Sequence, residues 1–292
     1  MTGNNTTGNS TTGNNTKVWL ITGASSGFGR AIAQAAVAAG DTVIGTARRT
    51  EGLADLVAAH PGQVEAIALD VTDGERIDAV AAEVLERHGR VDVLVNNAGR
   101  TQVGAFEETT DAELRDLFDL HVFGPARLTR ALLPHMRERG SGAVVNMSSV
   151  GGQLSFGGFS AYSATKAALE QLSEGLAAEV APYGIKVLVV EPGAFRTNLF
   201  GKGAAYFSEP LPAYDETAGA TRRMVQGSDG TQPGDPAKAA AAIRLALDAE
   251  RTPLRLPLGG DAVDAIVGHL DAQRADLAEW EKVSRGTDAG PR

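Results

Sequence analysis

Tyr162 and Lys166 stand four residues apart in the run Ser160-Ala161-Tyr162-Ser163-Ala164-Thr165-Lys166. In a helix they share one face, about one turn apart. A phenol is a weak acid, with an ordinary pKa of about 10. A nearby ammonium favours the phenolate and lowers that value. The pair therefore reads as a tuned proton donor or acceptor for general acid–base work. Ser149 lies thirteen residues before the tyrosine and adds a hydroxyl. Tyr-x-x-x-Lys also arises by chance in helices, so the surrounding elements must support the assignment.

They do so by alternation. Val18–Ile21 is a short apolar strand that runs into Thr22-Gly23-Ala24-Ser25-Ser26-Gly27-Phe28-Gly29, and a helix follows over 31–39. Strand, glycine turn and helix N-terminus make a phosphate cradle, because backbone N–H groups and the positive helix end face the anion. The spacing Gly-x-x-x-Gly-x-Gly is not a Walker loop, since no Gly-Lys-Ser/Thr follows. A second strand over 42–46 ends in Ala47-Arg48-Arg49. An acid at that strand end would hold an adenosine ribose and repel a 2′-phosphate. Two arginines stand there instead, which favours NADP(H) over NAD(H).

Further strands are predicted over 64–69, 91–95, 143–147, 185–190 and 254–258. Helices are predicted through about His88 and over 111–120, 125–139, 160–180 and 236–247. The strands are short and almost wholly apolar, as strands covered on both faces must be. Alternation of this kind gives an α/β fold with a doubly wound parallel sheet. Ligands bind such sheets beyond the C-terminal strand ends. The glycine turn, Arg48, Asp70, Asn97, Ser149 and Gly193 all sit at such ends.

Composition sets limits. The chain has 292 residues, 43% of them hydrophobic, and a net charge of −9. An acidic balance argues against nucleic acid and anionic membrane surfaces. There is no cysteine, which removes disulfides, thiol nucleophiles and cysteine-based zinc sites. The five histidines are scattered, so no metal site is expected. No spanning helix and no secretion signal is read, and the expected location is cytoplasmic. Residues 2–16 repeat one pentapeptide three times, as TGNNT, TGNST and TGNNT, and are expected to be disordered.

Together these residues resemble the short-chain dehydrogenase/reductase family. The matches are Thr22-Gly-x-x-x-Gly-x-Gly29, Asp70, Asn96-Asn97-Ala98-Gly99, Ser149, Tyr162-x-x-x-Lys166 and Pro192-Gly193 with Thr197. The resemblance implies a Rossmann-type domain over 17–260 and a homodimer or homotetramer. Tyr162 would then protonate the substrate oxygen as hydride leaves the nicotinamide. Lys166 would bond the nicotinamide ribose and lower the Tyr162 pKa. Ser149 would hold the substrate carbonyl, leaving Ser148 structural. Asp70 and Val71 would border the adenine, and Asn97, Ala98 and Gly99 would line the ribose path. Pro192, Gly193, Phe195 and Thr197 would close over the nicotinamide end. His121 takes the place of the family's usual relay asparagine. An imidazole that donates and accepts could keep the relay there, and could also titrate near pH 6.5; the alternative is a partly buried histidine bonded to backbone, with the relay rerouted through water.

Residues 198–235 fall where the family carries a substrate lid. Phe200, Tyr206, Phe207 and Tyr214 there suit an apolar or aromatic carbonyl or alcohol substrate, with Gln153, Phe156 and Phe159 as the opposite wall. A final amphipathic helix over 263–283, within a 261–292 extension, is expected to pack on its own domain or a second subunit, more commonly the former. The reading is an NADPH-dependent carbonyl reductase or alcohol dehydrogenase. Its rivals are an NAD-linked enzyme and a dinucleotide-binding sensor or scaffold without turnover.

Overall fold

The computed structural model describes residues 16–290 except 202 and 229. The expected disorder of the repeat tract lies outside the described residues, apart from Thr16. The elements run β1 (Val18–Thr22), α1 (Gly27–Ala38), β2 (Thr42–Ala47), α2 (Ala54–Ala59), β3 (Val64–Ala68), α3 (Gly74–His88) and β4 (Val93–Asn96). They continue with β5 (Thr101–Val103), α4 (Asp111–Phe118), α5 (Gly124–Arg139), β6 (Gly142–Met147), α6 (Ser160–Val180) and β7 (Ile185–Pro192). The chain closes with β8 (Ala205–Phe207), α7 (Ala218–Gly227), α8 (Pro236–Asp248), β9 (Arg255–Leu258) and α9 (Gly260–Arg285).

Seven strands form one parallel sheet in the order β3-β2-β1-β4-β6-β7-β9. The order reverses between β1 and β4, which opens a crevice at their C-terminal ends. Each face of the sheet carries its own core. Ile32, Ala36, Ala240 and Ile243 of α1 and α8 cover one face. Ile77, Val80, Leu128 and Leu132 of α3 and α5 cover the other, with the end of α6. The doubly wound architecture is the expected one.

Three features differ from the sequence reading. The first is a two-stranded parallel sheet, β5 with β8, which joins Thr101–Val103 to Ala205–Phe207. Each strand has three residues and its partner lies about a hundred residues away, so no local pattern marks it. The second is a π-helical turn, Asp119–Phe123, that links α4 and α5 where two separate helices were expected. Wide turns of this type recur at functional sites, and this one turns His121 into the interior. The third is α9, whose early residues Ala262 and Ile266 are buried while residues 270–290 are exposed. Packing on its own domain therefore holds only for the start of that helix.

The glycine turn is fixed by close approach. Gly23 has φ +63° and Gly27 has φ +54°, both left-handed. A Cβ on Gly29 would lie 2.5 Å from both the Gly23 carbonyl oxygen and the Asn97 side-chain nitrogen. Gly29→Ala is therefore expected to destabilise the chain by about 1–3 kcal/mol, read as a lower urea midpoint at unchanged m-value.

Candidate active site

The crevice opens into a cavity of about 710 Å³. One end is built by the glycine turn. Thr22 Oγ1 accepts from the backbone N–H groups of Asn97 (2.9 Å) and Ala98 (3.0 Å). The Asn97 amide donates to the carbonyls of Thr22 (2.8 Å) and Gly23 (3.1 Å). These bonds lock the end of β4 to the turn after β1. Asn97 thus positions the loop as well as lining the cavity. Ser26 begins α1 without a side-chain cap, and no acidic residue stands in its first turn. The N–H groups and positive end of α1 remain available to an anion.

Gly23, Ser25, Ser26, Gly27 and Phe28 line the cavity, and Gly29 sits behind them against Asn97. Arg48 lines it at the end of β2. Arg49 does not; it is exposed and precedes the 3₁₀ turn Thr50–Leu53. Asp70 and Val71 line the next edge, where Asp70 accepts from the Thr72 amide (3.0 Å) and hydroxyl (2.8 Å). Ala98, Gly99, Pro192, Gly193, Phe195 and Thr197 also reach the cavity. Phe195 packs on Phe28 with ring centroids 5.0 Å apart. The turn after β7 is held by Asp261, which accepts from the Ala194 amide at 2.7 Å. A lone acid at the start of a helix gave no hint of this bond in the sequence.

Ser149, Tyr162 and Lys166 meet at the other end. The Lys166 ammonium donates to the Met147 carbonyl at 2.9 Å and lies 5.7 Å from the centre of the Tyr162 ring. Burial lowers its pKa to about 8, against the pull of the Glu170 charge. Tyr162 is only 7% exposed. Burial pushes its phenol up to about 12, and a bond to the Ser149 hydroxyl draws it partly back. This corrects the expected lowering by lysine: desolvation of the phenol dominates, and the ammonium is directed at a backbone carbonyl.

His121 also reaches the cavity, edge-on to Tyr162 with ring centroids 5.7 Å apart. Its Nε2 accepts from the Arg100 backbone N–H at 3.2 Å, which assigns the proton to Nδ1. Nδ1 bonds the Thr165 hydroxyl at 2.8 Å, which in turn donates to the Tyr162 carbonyl at 2.7 Å. Burial, with Lys166 and Arg100 nearby, holds the imidazole well below its usual pKa. The geometry gives a neutral histidine with both ring nitrogens hydrogen-bonded. A switch near pH 6.5 does not fit this position.

Of the aromatic residues in 198–235, Phe200 and Tyr206 line the cavity, but Phe207 and Tyr214 do not. The Arg100 guanidinium stacks on the Tyr206 ring at 4.3 Å, a contact created by the β5–β8 pairing. The expected wall of Gln153, Phe156 and Phe159 is not formed. Phe156 is exposed, and Phe159 packs behind Tyr162 at 5.8 Å. Gln153 instead donates to Glu170 (2.5 Å) and Glu191 (3.0 Å).

Those two glutamates are each 1% exposed. Glu170 Oε1 accepts from the Ser148 hydroxyl at 2.5 Å, and Arg255 Nε lies 3.7 Å from Glu170 and 3.4 Å from Glu191. Ser148 lines the cavity too, but its hydroxyl is committed to Glu170. The sequence signal for the cluster was available: Glu170 follows Lys166 by one turn on the same face, and Glu191 ends the last long strand.

The chain is similar to known proteins along most of its length. The model of the short chain dehydrogenase family matches residues 17–205. Oxidoreductase BOA17 from Botryotinia fuckeliana is 37% identical over 272 residues, which cover 92% of this chain and 98% of that protein. A crystal structure of a short-chain dehydrogenase from Streptomyces avermitilis superposes with TM-score 0.90 at 83% identity, covering 94% of this chain and 99% of that one. A Burkholderia phymatum short-chain dehydrogenase/reductase in complex with NAD gives TM-score 0.78 at 26% identity, over 90% and 94% of the two chains. A metagenomic short-chain oxidoreductase in complex with NADP gives 0.65 at 28%, over 83% and 95%. The protein belongs to the short-chain dehydrogenase/reductase family of oxidoreductases.

The buried acid pair yields a pH prediction. Burial and the Glu170 charge raise the Glu191 pKa from 4.5 to about 7. As pH rises through that window the unfolded carboxyl ionises before the folded one, so the folded state loses stability relative to acid. Glu191→Gln removes this loss. Its Tm is expected to exceed that of the wild type by about 2–4 °C near pH 8.5 and to match it near pH 4.5, as measured by calorimetry.

Proposed function

We propose that the protein is an NADP(H)-dependent reductase of ketones or aldehydes, working on an apolar or aromatic substrate. The observation that carries this reading is the single cavity joining the glycine turn and Arg48 at one end to Ser149, Tyr162 and Lys166 at the other. The cradle fits a dinucleotide. A side chain at Gly23 would meet the Ala98 backbone at 2.9 Å, and the start of α1 presents uncapped N–H groups. In this reading Gly23, Ser25, Ser26, Gly27 and Phe28 hold the pyrophosphate. Arg48 receives the 2′-phosphate. Asp70 and Val71 border the adenine, and Asn97, Ala98 and Gly99 line the ribose path. Pro192, Gly193, Phe195 and Thr197 flank the nicotinamide. The bound nicotinamide supplies the hydride.

The chain's own residues do the rest. Ser149 holds the substrate carbonyl oxygen and steadies its developing charge. Tyr162 gives its proton to that oxygen. With a pKa of about 12 the phenol is fully protonated at neutral pH, and an alkoxide is a stronger base than a phenolate. Lys166 braces the nicotinamide ribose and the Tyr162 ring. His121 orients helix α6 through Thr165. Phe200 and Tyr206, within the 198–235 lid, present apolar surface to the substrate.

Tyr162→Phe is expected to lower kcat by about 10²–10⁴-fold with the cofactor KM within a few-fold of wild type; near-normal turnover would remove Tyr162 as the acid. Arg48→Ala is expected to raise the KM for NADPH by about tenfold or more and leave that for NADH unchanged. Equal effects on both cofactors would favour the NAD-linked alternative. NADPH binding without oxidation across a broad ketone panel would favour a sensor.

A further inference from the structure

Two arginines line the cavity, and among the described residues neither has an acid to pair with: Arg48 and Arg100. Elsewhere in the fold Arg30 pairs with Asp55, Arg127 with Asp78, and Arg244 with Asp41. Arg48 stands at the glycine-turn end. Arg100 stands at the catalytic end, where its backbone N–H bonds His121 and its charge helps to hold that imidazole low. Its side chain is half-buried, with Cζ 4.3 Å over the Tyr206 ring of β8. That contact leaves the N–H groups of the guanidinium unspent, and Nε is buried without a hydrogen-bond partner among the described residues. A buried charged donor without a partner costs more than a neutral one. The acids of the cavity do not supply the partner. Asp70 is bonded to Thr72, while Asp116 and Asp119 are exposed and pair with neither arginine among the described residues. Lys166, the remaining cation of the lining, already donates to the Met147 carbonyl.

We propose that Arg100 binds a carboxylate of the substrate, so that the substrate is an oxo acid, or in reverse a hydroxy acid, with an apolar or aromatic body. This rests on the reading of the cavity as a dinucleotide and carbonyl site. In that reading the anions of the cofactor are matched at the other end, the pyrophosphate by the start of α1 and the 2′-phosphate by Arg48. The anion that meets Arg100 therefore comes from the second ligand. A planar carboxylate fits the guanidinium fork and accepts two N–H bonds from it. Phe200 and Tyr206 line the cavity and cover the apolar body. Ser149 and Tyr162 hold the carbonyl while Arg100 holds the acid. Two fixed ends set which face of the carbonyl meets the hydride.

The probes are benzoylpropanoate, benzoylbutanoate and benzoylpentanoate, each beside its methyl ester. Binding is measured by calorimetry to the full chain saturated with NADP⁺, which carries no hydride and so consumes no ketone. The best acid is expected to bind about ten- to a hundredfold more tightly than its ester. Arg100→Met is expected to abolish that preference by weakening the acid far more than the ester, and Arg100→Lys to restore part of it. The Kd of Arg100→Met for NADPH, read from the cofactor's fluorescence, is expected to stay within a few-fold of wild type. Equal binding of acid and ester, or no binding by any acid, would overturn the inference. A loss common to acid and ester in Arg100→Met would also overturn it, leaving Arg100 as a strut for Tyr206. So would a fall in NADPH affinity with the acid preference intact, which would give the anion to the cofactor. Turnover with NADPH separates this inference from the reading it rests on. Acids held through Arg100 but never reduced would sink the reductase alone, and acids and esters reduced alike would sink the inference alone.

Discussion

Three polar side chains on one face of α6 bond to three consecutive residues at the end of β6. Ser173 accepts from Asn146 at 2.8 Å, Lys166 donates to the Met147 carbonyl at 2.9 Å, and Glu170 accepts from Ser148 at 2.5 Å. All six residues are buried. The row extends across the sheet, because Asn96 donates to Asn146 at 2.8 Å and to Thr129 of α5 at 3.2 Å. A buried polar group left without its partner costs about 1–3 kcal/mol. Sliding α6 by one turn would break all three bonds together. The register of α6 on β6 is thus strongly specified, and that register sets Tyr162 beside Ser149. The chemistry of the cavity depends on this docking.

The same docking sets the electrostatics. Placing the tyrosine and lysine on the inner face of a helix removes both from water. Desolvation then acts in opposite directions on the two, raising the phenol to about 12 and lowering the ammonium to about 8. Each group is pushed toward its neutral form. His121 follows the same rule, held neutral with both ring nitrogens bonded. At neutral pH the catalytic end of the cavity sets one ammonium, weakened by burial, among neutral hydrogen-bonding groups. The charged arginine at the end of β2 sits at the far end of that cavity.

Much of this was legible in the sequence. The glycine turn, the strand-end residues and the Tyr–Lys pair are read from local spacing, and local spacing is what short strands and long helices preserve. Arg48 and Arg49 looked equivalent because both follow β2, but successive residues at a strand end point in different directions and only Arg48 reaches the cavity. Gln153 was misplaced because its partners, Glu170 and Glu191, come from a helix and a strand that adjoin only in the folded sheet. Arg100 was missed because its stacking partner Tyr206 is brought there by the β5–β8 pairing. The rise in the Tyr162 pKa was also hidden. Spacing shows that an ammonium is near a phenol, but not that both are buried or that the ammonium donates to a carbonyl.

The most direct test of the account is the pH titration of tyrosinate absorbance, taken as the difference between the wild-type chain and Tyr162→Phe. With α6 docked on β6 as described, no tyrosinate attributable to Tyr162 should form below about pH 10, in keeping with a value near 12. A clear ionisation step between about pH 7 and 9 would contradict it. It would show that the lysine charge, and not burial, governs the phenol.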